Sequence, residues 1–202
     1  LSNQFADADK LAVLRAGCAA KKASAQAAKT SAAEQFKIDV EQVKKTYSYL
    51  TQGGGPVNAA KNMRTELKRA YPSVKFGVRT SKYSMGNSVT VDWTAGPNSE
   101  QVEKITGKYS GGHFNGMTDS YDHRTSPFTE VFGDAKYIHD NRRYSDKMLA
   151  SVMGRVCRQL GGIDTPPTLE DYRQGRMWNI KQSGGCDVNR EINIALSKHT
   201  YC

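Results

Sequence analysis

Lys75-Phe76-Gly77-Val78-Arg79-Thr80-Ser81-Lys82-Tyr83-Ser84-Met85-Gly86-Asn87-Ser88-Val89-Thr90-Val91-Asp92-Trp93 is the stretch on which the fold turns. Val74, Phe76 and Val78 alternate with Lys75, Gly77 and Arg79, the period of a strand with one face covered. Val89, Val91 and Trp93 repeat that alternation after Ser84-Met85-Gly86-Asn87, a cluster of turn-forming residues. The reading is a twisted antiparallel hairpin, Val74–Tyr83 with Ser88–Trp93, apolar on one side and basic on the other.

Working outward, the segment Val57–Tyr71 has helical spacing at Ala60, Met63, Leu67 and Ala70, with Lys61, Arg64, Lys68 and Arg69 opposite. Pro72 ends it, because the residue before a proline avoids the helical region. Past the hairpin, Asn98 and Gln101 are spaced as a capping box for a helix carrying Val102, Ile105 and Tyr109. Gly111–Arg124 reads as a polar, glycine-rich loop, and a further strand is expected around Ala135–Ile138. Ser145 caps an amphipathic helix through Met148, Leu149, Val152, Met153, Val156 and Leu160, which Gly161-Gly162 stops. Leu169–Gly175 makes a helical turn, and Asp187 caps a last helix through Ile192, Ala195 and Leu196. This order predicts an α+β fold: a small, mainly antiparallel sheet with helices packed on one face.

Residues 6–50 add an Ala-rich helical extension. Small or apolar residues recur at Leu11, Leu14, Cys18, Ala25, Ala28, Ala32, Phe36, Val40, Val43, Tyr47 and Leu50, a thin face for packing or for an oligomer seam. Gly53-Gly54-Gly55-Pro56 breaks the chain, which sets expected boundaries of 1–52 for the extension and 56–202 for a basic α+β domain.

The 202 residues hold 29 Lys and Arg against 20 Asp and Glu, a formal charge of +9, with 38% hydrophobic residues. That balance points to an acidic partner, nucleic acid before an anionic membrane. No apolar run reaches the roughly 20 residues of a membrane span, and the start lacks a signal-peptide core. Leu1 in place of methionine reads as processing or a fragment. The cysteines, Cys18, Cys157, Cys186 and Cys202, form no C-x-x-C pair, which argues against a zinc knuckle or a thioredoxin-type site. Cys18 and Cys157 fall on apolar helix faces, and reduced thiols in a cytosol are expected, with Cys186–Cys202 pairing confined to an oxidising setting.

Three segments in order, Lys68–Arg79, Tyr83–Pro97 and Gly111–Arg124, resemble large polyvalent protein associated domain 29, a family of bacteriophage and conjugative-element proteins. The likeness covers roughly Pro56–Tyr144 and leaves residues 1–50 outside. It implies a mobile-element protein in the cytoplasm of a bacterial host, with delivery in the virion as a variant, and it implies no reaction and no catalytic set.

Three function classes follow from the residues. The first is nucleic-acid association, DNA favoured, through Lys61, Arg64, Lys68, Arg79, Arg142 and Arg143, with Tyr83 and Tyr121 as stacking groups and Tyr109 and Phe114 as further aromatics. Its bland counterpart is a solvated helix face with core aromatics. The second is an enzyme, a hydrolase or nuclease, built on His113, Asp119, Asp122 and His123 in the glycine-rich loop, with His139 and Asp140 beyond. Yet H-E-x-x-H, nucleophile-elbow and Walker patterns are missing, and aspartates also cap turns. The third is an adaptor or inhibitor that binds a phage or host protein through residues 6–50. The leading expectation is an accessory protein on nucleic acid, with no metal and no cofactor.

Overall fold

The computed structural model describes the backbone of residues 2–117, 119–180 and 182–200, and the side chains of these except 2–12, 14, 114 and 179. The expected roles of the Leu11, Leu14 and Phe114 side chains and of Cys202 thus lie outside the described residues. Two compact units are present, residues 1–48 and residues 49–202.

The first unit is one helix, α1 (Ser2–Thr46). Its Ala-rich middle covers no apolar stripe: Cys18, Ala25, Ala28 and Ala32 are all exposed, and burial begins only partly at Phe36, Val40, Val43 and Tyr47. The expectation that Cys18 sits on a packed face therefore fails in this chain. Alanine has high helix propensity but little surface to bury, so such a helix forms without a core of its own.

The second unit starts before the glycine run, because Leu50 is buried and Thr51 is fastened to α2 (Gly55–Ala70). The Asn62 side chain accepts from Thr51 N–H at 2.9 Å and donates to Thr51 O at 2.8 Å. Pro56 opens α2, whose buried side is Ala59, Ala60, Met63 and Leu67. Ala70, expected inside, is exposed at the fraying end.

The hairpin forms as expected. Strands β1 (Phe76–Tyr83) and β2 (Gly86–Thr94) pair antiparallel with Val78 opposite Val91 and Phe76 opposite Trp93. Next comes α3 (Ser99–Thr106), closed by the Asn98–Gln101 capping box, then a turn of 3-10 helix, Gly107–Tyr109. The glycine-rich loop is more ordered than its composition suggests. It folds as a second antiparallel hairpin, β3 (Gly112–Asn115) with β4 (Ser120–His123), and Asp119 takes the positive φ of 48° at its turn. A Cβ on Gly112 would stand 2.1 Å from Asp122 O, so only glycine lets these strands close.

A short helix, α4 (Pro127–Phe132), leads into β5 (Tyr137–Arg143). The third strand therefore lies two residues later than Ala135–Ile138 and runs longer. It joins β2 in parallel, making a sheet of order β1-β2-β5 beside the β3–β4 pair. The parallel register follows from the crossover through α3, β3, β4 and α4, which returns the chain to the end of the sheet where β2 began. Gly133 (φ 85°) permits the return, since a Cβ there would meet Gly55 O at 2.5 Å.

Helices cover one face. Val89, Val91 and Trp93 are buried there with Met63, Leu67, Val102, Tyr109 and Phe132, while Gly77, Arg79, Ser81, Thr94, His139, Asn141 and Arg143 stay exposed on the other. Tyr109, weighed as a stacking aromatic against a place in the core, is fully buried edge-on to Phe128 at 4.9 Å. A second core forms where α5 (Asp146–Leu160) meets α7 (Val188–Lys198), from Met148, Val152, Val156, Ile192 and Leu196. The short α6 (Leu169–Arg173) and the 3-10 turn Arg176–Asn179 lie in the chain between them.

Candidate nucleic-acid interface

The helical period sends Lys61, Arg64, Lys68 and Arg69 away from the buried side of α2, and all four are exposed. Tyr71 caps α2 by donating to Leu67 O, and the turn Pro72–Lys75 carries the chain straight into β1. Between helix end and strand lies a groove of about 370 Å³ lined by Arg64, Lys68, Val74, Lys75 and Phe76. A second depression, about 290 Å³, continues over the open face past Lys75 and Phe76 to Arg79, Asp92 and Arg143. Five cations thus border two depressions that share Lys75 and Phe76.

Their partners differ. The Arg64 guanidinium donates to Val78 O, on a strand that pairs on one side only, and so blunts the sheet edge while keeping its charge at the groove. Arg79 pairs with Asp92 at 2.6 Å, yet its side chain is 71% exposed and remains open to solvent. Arg143 is exposed on the same face. Arg142, its neighbour, is turned the other way. It donates to Leu196 O at 3.1 Å, Gly96 O at 2.9 Å and His199 O at 2.6 Å. Burial lowers its pKa, and its terminal N–H groups tie α7 and the Gly96 turn to the sheet, while Nε is buried without a partner.

Among the aromatics, Tyr83 is exposed near the β1–β2 turn. Tyr121 is half-buried, donates to Lys136 O at 2.7 Å and sits edge-on to Tyr137. Lys136 lies over both rings, at 5.1 and 5.5 Å.

The four loop residues do not converge. His113 and Asp122 are cross-strand partners with Nε2 and Oδ2 3.9 Å apart, both well exposed. His123 belongs to the other side of β4 and packs on Tyr121, while Asp119 occupies the turn. His139 and Asp140 are consecutive on β5 and face opposite ways. Among the described residues no group of three or more His, Cys, Asp or Glu stands ready to hold a metal ion.

Two carboxylates matter more than the sequence indicates. Glu66, buried in α2, accepts from Tyr109 Oη at 2.6 Å and Tyr49 Oη at 3.1 Å and pairs with Lys108. Asp140 lies opposite Val91 on the covered face of the sheet. Burial is the main force that pushes its carboxyl up to about 6, opposed by a Thr106 hydrogen bond and reinforced by the Glu103 charge. The i+4 spacing of Asn58, Asn62 and Glu66 on α2 is the one sequence signal that could have marked the Glu66 row.

A small α+β domain with one basic, open sheet face is what these elements define. Residues 55–145 match the family model of large polyvalent protein associated domain 29. No curated protein and no solved structure matches the chain. The match ends just after β5, so α5, α6 and α7 lie beyond it. Among the described residues no helix is long and apolar enough to cross a membrane.

Proposed function

We propose that this protein is an accessory factor of a phage or mobile element that associates with nucleic acid, DNA favoured, in the cytoplasm of the bacterial host. The observation that carries the reading is that the two grooves share Lys75, with Arg64 and Lys68 of α2 bordering one and Arg79 and Arg143 of the open face bordering the other. Phosphates spaced along a strand are neutralised by such a set of cations, and released counterions drive the association. Lys61 extends the set along α2, and Tyr83 offers a ring for stacking at the far end of β1. Arg142 has no part in it.

The test is the affinity of the full chain for double- and single-stranded oligonucleotides across a salt series. A steep fall of log K with log salt, made shallower by Lys68→Glu or Lys75→Glu, supports the reading. Absence of binding at low salt, or an affinity indifferent to salt, overturns it. A protein partner is the second reading, favoured by Val13 and Ile38 standing exposed on α1. A stoichiometric protein complex that survives nuclease and salt, and is lost when α1 is shortened, would replace the first reading.

A further inference from the structure

A cleft of about 440 Å³ opens along the free edge of β5, away from the basic grooves. One side is α3 with Ser99, Glu103 and Thr106. The other is the β3–β4 hairpin with His113 and Tyr121, and Tyr137, Ile138 and Asp140 of β5 form the floor. None of the chemistry discussed for the grooves uses it.

Three features define what fits. The volume suits one heterocycle with a sugar and is too small for a folded segment of chain. The Tyr121 and Tyr137 rings, 5.5 Å apart and tilted by 65°, give an aromatic wall. Lys136 already lies over both rings and is anchored on Met85 O at 3.0 Å, so the wall suits a neutral planar ring better than a second cation. The third feature is a carboxylate short of donors. Asp140 Oδ1 is buried without a partner, and Oδ2 has only Thr106 Oγ1 at 3.4 Å. Glu103, exposed at the rim, adds another acceptor. A carboxylate short of donors beside an aromatic wall is met by a ring whose edge carries adjacent N–H groups, and such charge-assisted pairs are strong and directional.

We propose that the cleft takes a single unpaired nucleobase bearing adjacent amino and imino donors, guanine in preference to the others, with Asp140 and Glu103 as acceptors and Tyr121 and Tyr137 as the aromatic wall. The proposal rests on the nucleic-acid reading and specifies it: the grooves hold the phosphate backbone, and the cleft accepts a base swung out of the strand.

Guanosine, adenosine, cytidine and uridine are titrated separately into the full chain by calorimetry. In parallel, a single-stranded oligothymidine carrying one guanine is compared with the same strand carrying an abasic position. Guanosine is expected to bind at least tenfold more tightly than uridine, and the abasic strand to bind more weakly than the guanine strand. Ser99→Trp, an exposed substitution that fills the cleft from α3, is expected to remove guanosine binding, and Glu103→Gln to weaken it. Lys75→Glu is expected to leave guanosine untouched and to weaken the oligonucleotide. Guanosine binding without strand binding upholds the cleft and overturns the groove. Strand binding that ignores the abasic change, with no nucleoside bound, overturns the cleft and leaves the groove. Equal binding of all four nucleosides, or guanosine binding unchanged in Ser99→Trp, also overturns it.

Discussion

Arg142 and Arg143 are consecutive on β5 and serve opposite faces of the sheet. Arg142 lies opposite Trp93 and hands its donors to three carbonyls, two of them at or just past the end of α7, while Arg143 lies opposite Thr94 and is exposed on the basic face. The alternation of a strand separates a structural arginine from one available to a ligand, although the two look equivalent in sequence.

Arg142→Ala is expected to cost about 2–4 kcal/mol, because buried carbonyls lose their donors and the α5–α7 core loses its tie to the sheet. Arg143→Ala is expected to change stability by about 0.5 kcal/mol or less, as exposed substitutions do, and to weaken oligonucleotide binding instead. Urea midpoints of the two variants, set beside their salt-dependent affinities, check both halves. Equal effects of the two on stability would count against this division.

Along the grooves, each phosphate contact removed is expected to lower the slope of log K against log salt by about 0.9 on duplex and about 0.7 on single strands. Lys68→Ala and Lys75→Ala should each show this, and the double variant should show twice as much. Arg79→Ala should show less, since Asp92 already takes part of its charge. The salt series of the parent and the four variants is the measurement.

Glu66 gathers Tyr109, Tyr49 and Lys108 under α2. Glu66→Ala removes one acceptor from three donors in a largely dry site, and a loss of about 3 kcal/mol is expected. Thermal unfolding followed by circular dichroism reads it. A change below about 1 kcal/mol would mean that the donors find other acceptors at little cost.

The burial of Asp140 fixes the sign of a pH dependence to be expected of this protein. The carboxyl's folded pKa, about 6, lies above the ordinary 3.8, so the unfolded chain ionises more readily and the folded state is penalised at neutral pH. Stability from this group is full below about 4, declines as pH rises towards 6, and stays low above that. Asp140→Asn is therefore expected to gain on the parent between about pH 4 and about pH 7 by on the order of 1 kcal/mol, reduced by the partial wetting of the site. Urea unfolding of both proteins at the two pH values tests it, and a gap that does not grow with pH would reject the burial of this carboxylate.

The β1–β2 hairpin, the α2 helix with its basic side, the Asn98, Ser145 and Asp187 caps and the helical extension were legible in the chain itself. Each rests on contacts within about ten residues, where period, capping groups and turn chemistry are written locally. The glycine-rich segment looks like a loop in sequence because its strands are four residues each and pair through Gly112, which carries no strand signal. The third strand is hidden for a related reason. Ile138, Asp140 and Arg142 form its covered side, so its inward face is mostly polar and breaks the apolar alternation. Local chemistry therefore determined which segments are helix and hairpin and where positive charge accumulates. Tertiary structure alone decided which charges face outward and which carboxylates go dry, because the register of β5 on β2 is set by partners some fifty residues away.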